Sequence, residues 1–278
     1  MKTILILTDF SDPSLNAARY AAGLSSELNT SRIILYHSFL PLPMATELPV
    51  PPPLPSEDPY GRSNRQLNAL KDELSIKLSE GAHIETRTGE GPFVSSVMSL
   101  VRDENIDMVV MGTSAKGTLE RIIMGSNTLE LIRKCKVPLL VIPPEAIYKP
   151  VHVVAFASDL KDVSDKTPVL KIKPIIDLLN ARLLVFNVSE EGVGSFHTDL
   201  IKEQKELHER WDAESVEYHY VNHKDIAEGI MRFAEDNNVQ LVIVIPGKHE
   251  FFESFFHRSI SKKLAYHTRI PLLIVNTE

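Results

Sequence analysis

One cysteine, Cys135, stands in 278 residues. A lone thiol excludes an intrachain disulfide framework and suits a reducing compartment. It sits near the end of a predicted helix, where it reads as a small, half-buried apolar residue rather than a redox group. Positive charge is also short. Thirty Lys and Arg face 37 Asp and Glu, for a net charge of -7. That balance excludes a broadly basic face, so no nucleic-acid partner is expected. No apolar run approaches the ~20 residues needed to span a bilayer, so no membrane partner is expected either. The opening MKTILILTDFSD offers only Ile4–Leu7 before Thr8 and Asp9. That is too short for a signal-peptide core, and the expected location is cytoplasmic. What the chain does have is 43% hydrophobic and 24% charged residues, the make-up of an ordinary globular protein. Its length suits two domains of about 140 residues each.

The chain repeats itself. Ile4–Leu7 runs into Thr8-Asp9, and Val151–Ala157 runs into Ser158-Asp159. Each is short, apolar and bounded by polar residues, as a buried parallel strand should be. After the first, Ser11 or Asp12 can cap a helix that carries Pro13 early and apolar side chains at Leu15, Ala18, Ala22 and Leu28. Val137-Pro138-Leu139-Leu140-Val141-Ile142 and Ile270-Pro271-Leu272-Leu273-Ile274-Val275 close the halves with nearly the same sequence. Between them, Arg32–His37, His83–Thr88 and Asp107–Met111 read as strands of the first half. Arg182–Asn187, Ser215–Tyr220 and Gln240–Ile245 answer them in the second. Five strands alternating with helices, twice over, predict an α/β fold of two doubly wound five-stranded parallel sheets. The boundary falls at Pro143–Pro150, giving domains at 1–146 and 150–278. Residues 40–59 hold eight prolines and read as an extended loop, either a lid or partner-binding arm or a plain surface insertion.

In such sheets ligands sit beyond the carboxyl ends of the strands, where strand order reverses. Thr8 and Asp9 follow the first strand, and His37 and Ser38 end the second. Met111-Gly112-Thr113-Ser114-Ala115-Lys116-Gly117 follows the fourth, and Gly125-Ser126-Asn127-Thr128 opens the last helix of the half. Gly112 would let the backbone leave its strand and approach a ligand closely. The bare N–H groups and hydroxyls at a helix start form a natural phosphate site. Asp9 would repel phosphate, but it could accept hydrogen bonds from an adenine amino group or a ribose hydroxyl. An acid at one end and an anion site at the other describe a nucleotide cradle; a plain loop with a Gly-Ser cap is the alternative.

The opening ILILTDFSD, the strand IILYHS and the block MGTSAKGTLERIIMGSNTLELIRKCKVPLLVIP resemble the universal stress protein family. The likeness covers residues 1–146 well and 150–278 more faintly. It implies an adenine nucleotide α-hydrolase-like fold in two halves related by a pseudo-twofold axis, and a ligand such as ATP or a related adenine nucleotide. Any Mg²⁺ would accompany that nucleotide, since no strong metal motif is present. The family's nucleotide-binding pattern is Gly, two residues, Gly, nine residues, then Gly and Ser or Thr. Here it reads Gly112, Ala115, Gly125 and Ser126. By resemblance, Asp9 and Ser38 match positions that line the adenine and ribose, and Gly112, Ala115, Gly125, Ser126, Asn127 and Thr128 match the ribose and phosphate side. Thr8 and Met111, next to Asp9 and Gly112, are expected among the nucleotide-binding residues. Ala115 replaces a glycine, which costs affinity only if that position needs positive φ.

The second half departs from the pattern. Asp159 stands like Asp9, but Arg258-Ser259 stands where Gly125-Ser126 does, and the loop from Gly247 is two residues shorter. Phe251, Phe252, Phe255 and Phe256 bring volume, and Glu250 and Glu253 bring negative charge. This half reads as a degenerate copy with a packing role. His249, His257 and His267 match no compact metal spacing. The run Lys202–Arg210 reads as a solvated helix face with Trp211 at its inner end. The expected function is adenine-nucleotide binding by the first half in a stress-response or signalling role, with at most slow hydrolysis. Alternatives are a nucleotide-free interaction protein using the proline-rich loop and aromatic second half, and a hydrolase using His37 or His249. The two closing strands are expected to pair within the chain or across a homodimer.

Overall fold

The computed structural model describes residues 1–39, 58–113, 126–160, 162–189, 198–211, 216–246 and 270–277. The first half carries β1 (Thr3–Leu7), α1 (Asp12–Glu27), β2 (Arg32–Phe39), α2 (Pro59–Ser75), β3 (His83–Glu90), α3 (Phe93–Asp103), β4 (Met108–Gly112), α4 (Ser126–Lys134) and β5 (Leu139–Ile142). The second carries β6 (Val153–Ala157), α5 (Val163–Lys166), α6 (Val169–Leu179), β7 (Arg182–Ser189), α7 (Thr198–Trp211), β8 (Val216–Asn222), α8 (Ile226–Asp236), β9 (Leu241–Val244) and β10 (Leu272–Ile274). The predicted strands are all present, with ends moved by one or two residues. The end of the proline-rich stretch is helical: Pro59 begins α2, and the Asp58 carboxylate accepts the N–H groups of Tyr60 and Gly61. Proline suits that first helical turn because its missing N–H would have no helical partner there.

Among the described residues, ten strands form a single sheet in the order β3-β2-β1-β4-β5-β10-β9-β6-β7-β8. All neighbours are parallel except β5 and β10. The two five-stranded sheets read from the sequence are thus joined edge to edge. Leu140 lies opposite Leu273, flanked by Val141 with Leu272 and Leu139 with Ile274. Leu140 and Leu273 occupy the same place in the repeat, so each half meets its own counterpart, as a twofold relation requires. All six side chains are buried. The pairing also removes two apolar edge strands that would otherwise invite association.

One apolar face of the sheet is covered by α1, α2, α6 and α7, and the other by α3, α4 and α8. Both layers continue across the β5–β10 seam. The break between α5 and α6 falls at Thr167-Pro168, where α1 of the first half runs unbroken. Proline disfavours helix in the residue before it. Trp211 ends α7 buried against Phe156, while Lys202–Glu206 and Lys205–Glu209 pairs line the solvent side.

The connection between the halves is fastened to α1. The Asn16 side-chain amide donates to the carbonyls of Pro143, Pro144 and Ala146 at 3.3, 3.1 and 2.9 Å. Tyr148 meets Tyr20 edge-on and donates its hydroxyl to Glu27, which also accepts the Val151 N–H at 3.1 Å. Gly23 makes room for the ring; a Cβ there would lie 2.3 Å from Tyr148 Cδ1. At the other side of the seam, the Asn276 amide donates to the carbonyls of Ile132 and Cys135 at the end of α4.

Candidate functional site

In the first half β1 pairs with β2 on one side and β4 on the other, so strand order reverses at β1 and β4. Thr8-Asp9, the end of β2 and the end of β4 share that carboxyl edge. Antiparallel pairing at the seam puts the corresponding edge of the second half on the opposite side of the sheet.

Asp9 is exposed there. Burial of part of its carboxyl acts to raise the pKa. Hydrogen bonds, led by those from the Ser11 hydroxyl and backbone N–H, outweigh it and hold the group below the usual carboxylate range. Asp9 is therefore ionised at neutral pH. Ser11 is the N-cap residue of α1, yet its side chain makes no capping bond, because its hydroxyl is committed to Asp9.

Thr8 faces inward. It is 6% exposed; its hydroxyl accepts the Phe10 N–H at 3.0 Å and lies 3.0 Å from the Ser14 hydroxyl. These bonds shape the turn, with Phe10 in the left-handed region at φ 64°. His37 Nδ1 lies 2.8 Å from the Thr8 carbonyl oxygen, and the Phe10 and His37 rings sit 4.6 Å apart.

At Gly112 the backbone does not take the course its sequence suggests. The residue remains in β4, paired with Ile142, and does not turn away from the strand. A Cβ on it would lie 2.3 Å from the Pro13 carbonyl oxygen, so the start of α1 occupies the space beside it. The next residue, Thr113, donates its N–H to the Ile142 carbonyl at 3.0 Å and is buried. Met111 is buried on the face that carries α3 and α4.

Ser38 is half-buried, and Ser126 and Asn127 are exposed at the start of the described part of α4, whereas Thr128 is buried. Tyr36, next but one to Ser38, is raised in pKa by burial, with partial relief from hydrogen bonds to Ser96 and Ser38. The counterparts in the second half are Phe186 and Val188, and Phe186 stacks on Phe233 of α8. The first half thus keeps hydroxyls where the second is apolar. Hydrophobic alternation could not separate these cases, since Tyr36 and Phe186 are both buried aromatics.

Ala115 and Gly125 lie outside the described residues. So do Gly117, the proline-rich stretch up to residue 57, and the second-half segment 247–269 with its phenylalanines, histidines, Arg258 and Ser259. Among the described residues no His, Cys, Asp and Glu cluster could hold a metal, and no helix is long and apolar enough to cross a membrane.

A sequence profile of the universal stress protein family matches residues 1–143 and 176–276. Universal stress protein MJ0531 of Methanocaldococcus jannaschii is 30% identical over 145 residues, covering 51% of this chain and 81% of that protein. The crystal structure of a universal stress protein from Archaeoglobus fulgidus superposes with a TM-score of 0.70 at 16% identity, covering 99% of this chain and 98% of that one. A crystal structure described as a universal stress protein from Pseudomonas aeruginosa gives 0.61 at 13% identity, covering 99% and 93%. With the profile matching most of its length, across both halves, this chain belongs to the universal stress protein family.

Proposed function

We propose that residues 1–146 form a domain that binds ATP or a related adenine nucleotide, and that residues 150–278 form a second, degenerate domain of the same family. The observation that carries this reading is Asp9. It is an exposed carboxylate, held ionised by Ser11, at the carboxyl edge where strand order reverses. Its oxygens suit an adenine amino group or ribose hydroxyls, with half-buried Ser38 on the next strand. Ser126 and Asn127 supply exposed polar groups for the phosphate end, together with Gly125 and Ala115 from the sequence pattern. Mg²⁺ would enter with the nucleotide. The role is binding in a cytoplasmic stress response, with at most slow hydrolysis. Because β5 and β10 occupy each other's edges, a homodimer would have to use another surface.

The test is to purify the protein without added ligand, denature it, and assay the supernatant for adenine nucleotide, alongside calorimetric titration with ATP. Released nucleotide or saturable binding, lost on Asp9→Ala, supports the reading. A protein that releases none and shows no heat with ATP, ADP, AMP or a cyclic nucleotide would instead favour a nucleotide-free interaction protein.

A further inference from the structure

The turns that end β1 and β6 are built to one plan with different side chains. The Thr8 N–H donates to the Tyr36 carbonyl at 2.9 Å, and the Ser158 N–H donates to the Phe186 carbonyl at 2.9 Å. The Thr8 hydroxyl accepts the Phe10 N–H at 3.0 Å; the Ser158 hydroxyl accepts the Leu160 N–H at 3.2 Å. Phe10 and Leu160 both take left-handed backbone, at φ 64° and 52°. That conformation is costly for a residue with a large side chain and persists only when its surroundings hold it. In each turn a side chain from the neighbouring strand reaches the carbonyl of the first residue. Asn187 Nδ2 donates to the Ser158 oxygen at 2.9 Å, and His37 Nδ1 lies 2.8 Å from the Thr8 oxygen.

A carbonyl oxygen only accepts, so the imidazole nitrogen facing it must carry the proton. We infer that His37, protonated on Nδ1, is a positioning residue: it holds the Thr8 carbonyl and with it the turn that presents Asp9, and an amide can take its place. The chain itself supplies the comparison. Asn187 makes the same bond at the same place in the repeat, so a donor is needed there and a ring is not. Leucine has comparable bulk but no donor, and would leave the Thr8 carbonyl unpaired beside the left-handed residue. The affinity arm of the test rests on the nucleotide reading above; the spectroscopic arm does not.

The experiment compares wild type, His37→Asn and His37→Leu by calorimetric titration with ATP. Nitrogen-15 NMR reads the His37 ring and the exchange rate of the Phe10 amide. Thermal melts check that each variant is folded. His37→Asn should bind ATP within about threefold of wild type, and His37→Leu should lose roughly tenfold or more. The wild-type ring should be protonated on Nδ1, and the Phe10 amide should exchange slowly in wild type and His37→Asn but rapidly in His37→Leu. A ring protonated on Nε2 alone, a leucine variant with wild-type exchange, or an asparagine variant as impaired as leucine would overturn the inference. If wild type takes up no ATP, the nucleotide reading fails, while the ring tautomer and the Phe10 exchange rates still decide the role of His37.

Discussion

Gly112 closes β4 against the first turn of α1, where a Cβ would lie 2.3 Å from the Pro13 carbonyl oxygen and 3.1 Å from the Ser14 nitrogen. Both neighbours are backbone atoms, so a side-chain rotation cannot relieve the contact. Gly112→Ala should therefore cost roughly 1–3 kcal/mol of stability, as overpacking in a close contact does. Urea unfolding followed by circular dichroism measures it. An unchanged midpoint would mean that α1 can shift away freely.

Asn276 ties the end of the chain's last strand to a helix of the first half. Its amide donates to the Ile132 and Cys135 carbonyls at 2.8 and 2.6 Å, two of the acceptors a helix end leaves without partners. Lys171 adds a bond from its ammonium to the Asn276 carbonyl at 2.7 Å. Asn276→Ala should cost about 1–2 kcal/mol. Hydrogen exchange should accelerate in α4 as well as near residue 276. Acceleration confined to the second half would rule out this coupling.

Glu85 lies between Arg32 and Arg87 on the outer strands of the first half. Arg32 also reaches Glu104 at 2.7 Å. Hydrogen bonding to Arg32, against the cost of burial, brings Glu85 down to about 2 from 4.5. A depressed carboxylate stabilises the fold above its unfolded pKa, and that contribution is lost as pH falls through the folded value. Stability should thus decline between pH 4.5 and about 2. Glu85→Gln should flatten that part of the pH profile and cost about 1 kcal/mol at neutral pH. Urea midpoints at pH 6, 4 and 2.5 for both proteins test the sign; equal slopes would exclude Glu85 as the source.

Cys135 is 1% exposed, and burial pushes its thiol up to about 11. Only the thiolate reacts readily, so the native protein should be inert to a thiol reagent at pH 8 over minutes. Denatured protein should release one equivalent of product at once. Fast reaction of the folded protein would show that the end of α4 opens easily.

The two halves should differ in ligand stoichiometry. Ser38 beside Tyr36 in the first half corresponds to Val188 beside Phe186 in the second, and the sequence replaces Gly125 with Arg258. Titration with ATP should give about one site per chain. Replacing Gly125 with a bulky residue should weaken binding by roughly 1–3 kcal/mol, while Arg258→Ala should leave it unchanged. Two sites, or sensitivity only to Arg258, would reverse the assignment.

The inner strands were legible in the sequence because each is a short apolar run buried on both faces, while the outer strands β3 and β8 are polar and half-buried and were legible from their place in the alternation of strands and helices. The repeat was legible through VPLLVI and IPLLIV, and those strands do lie side by side with Leu140 opposite Leu273. Asp9 could be placed at the carboxyl edge because it lies two residues past the end of a strand in a parallel sheet. The inward direction of Thr8, the diversion of the Ser11 hydroxyl from its cap to Asp9, and the left-handed turn at Phe10 could not. They depend on which groups arrive from β2 and α1, segments that are distant along the chain or held by bonds that composition does not specify. Gly112 is the clearest case. Its sequence suggested a backbone that leaves the strand, whereas the fold keeps it in β4 with Pro13 beside it. Spacing along a chain limits what a residue can do, but only the packing of other elements around it determines what occupies the space it leaves.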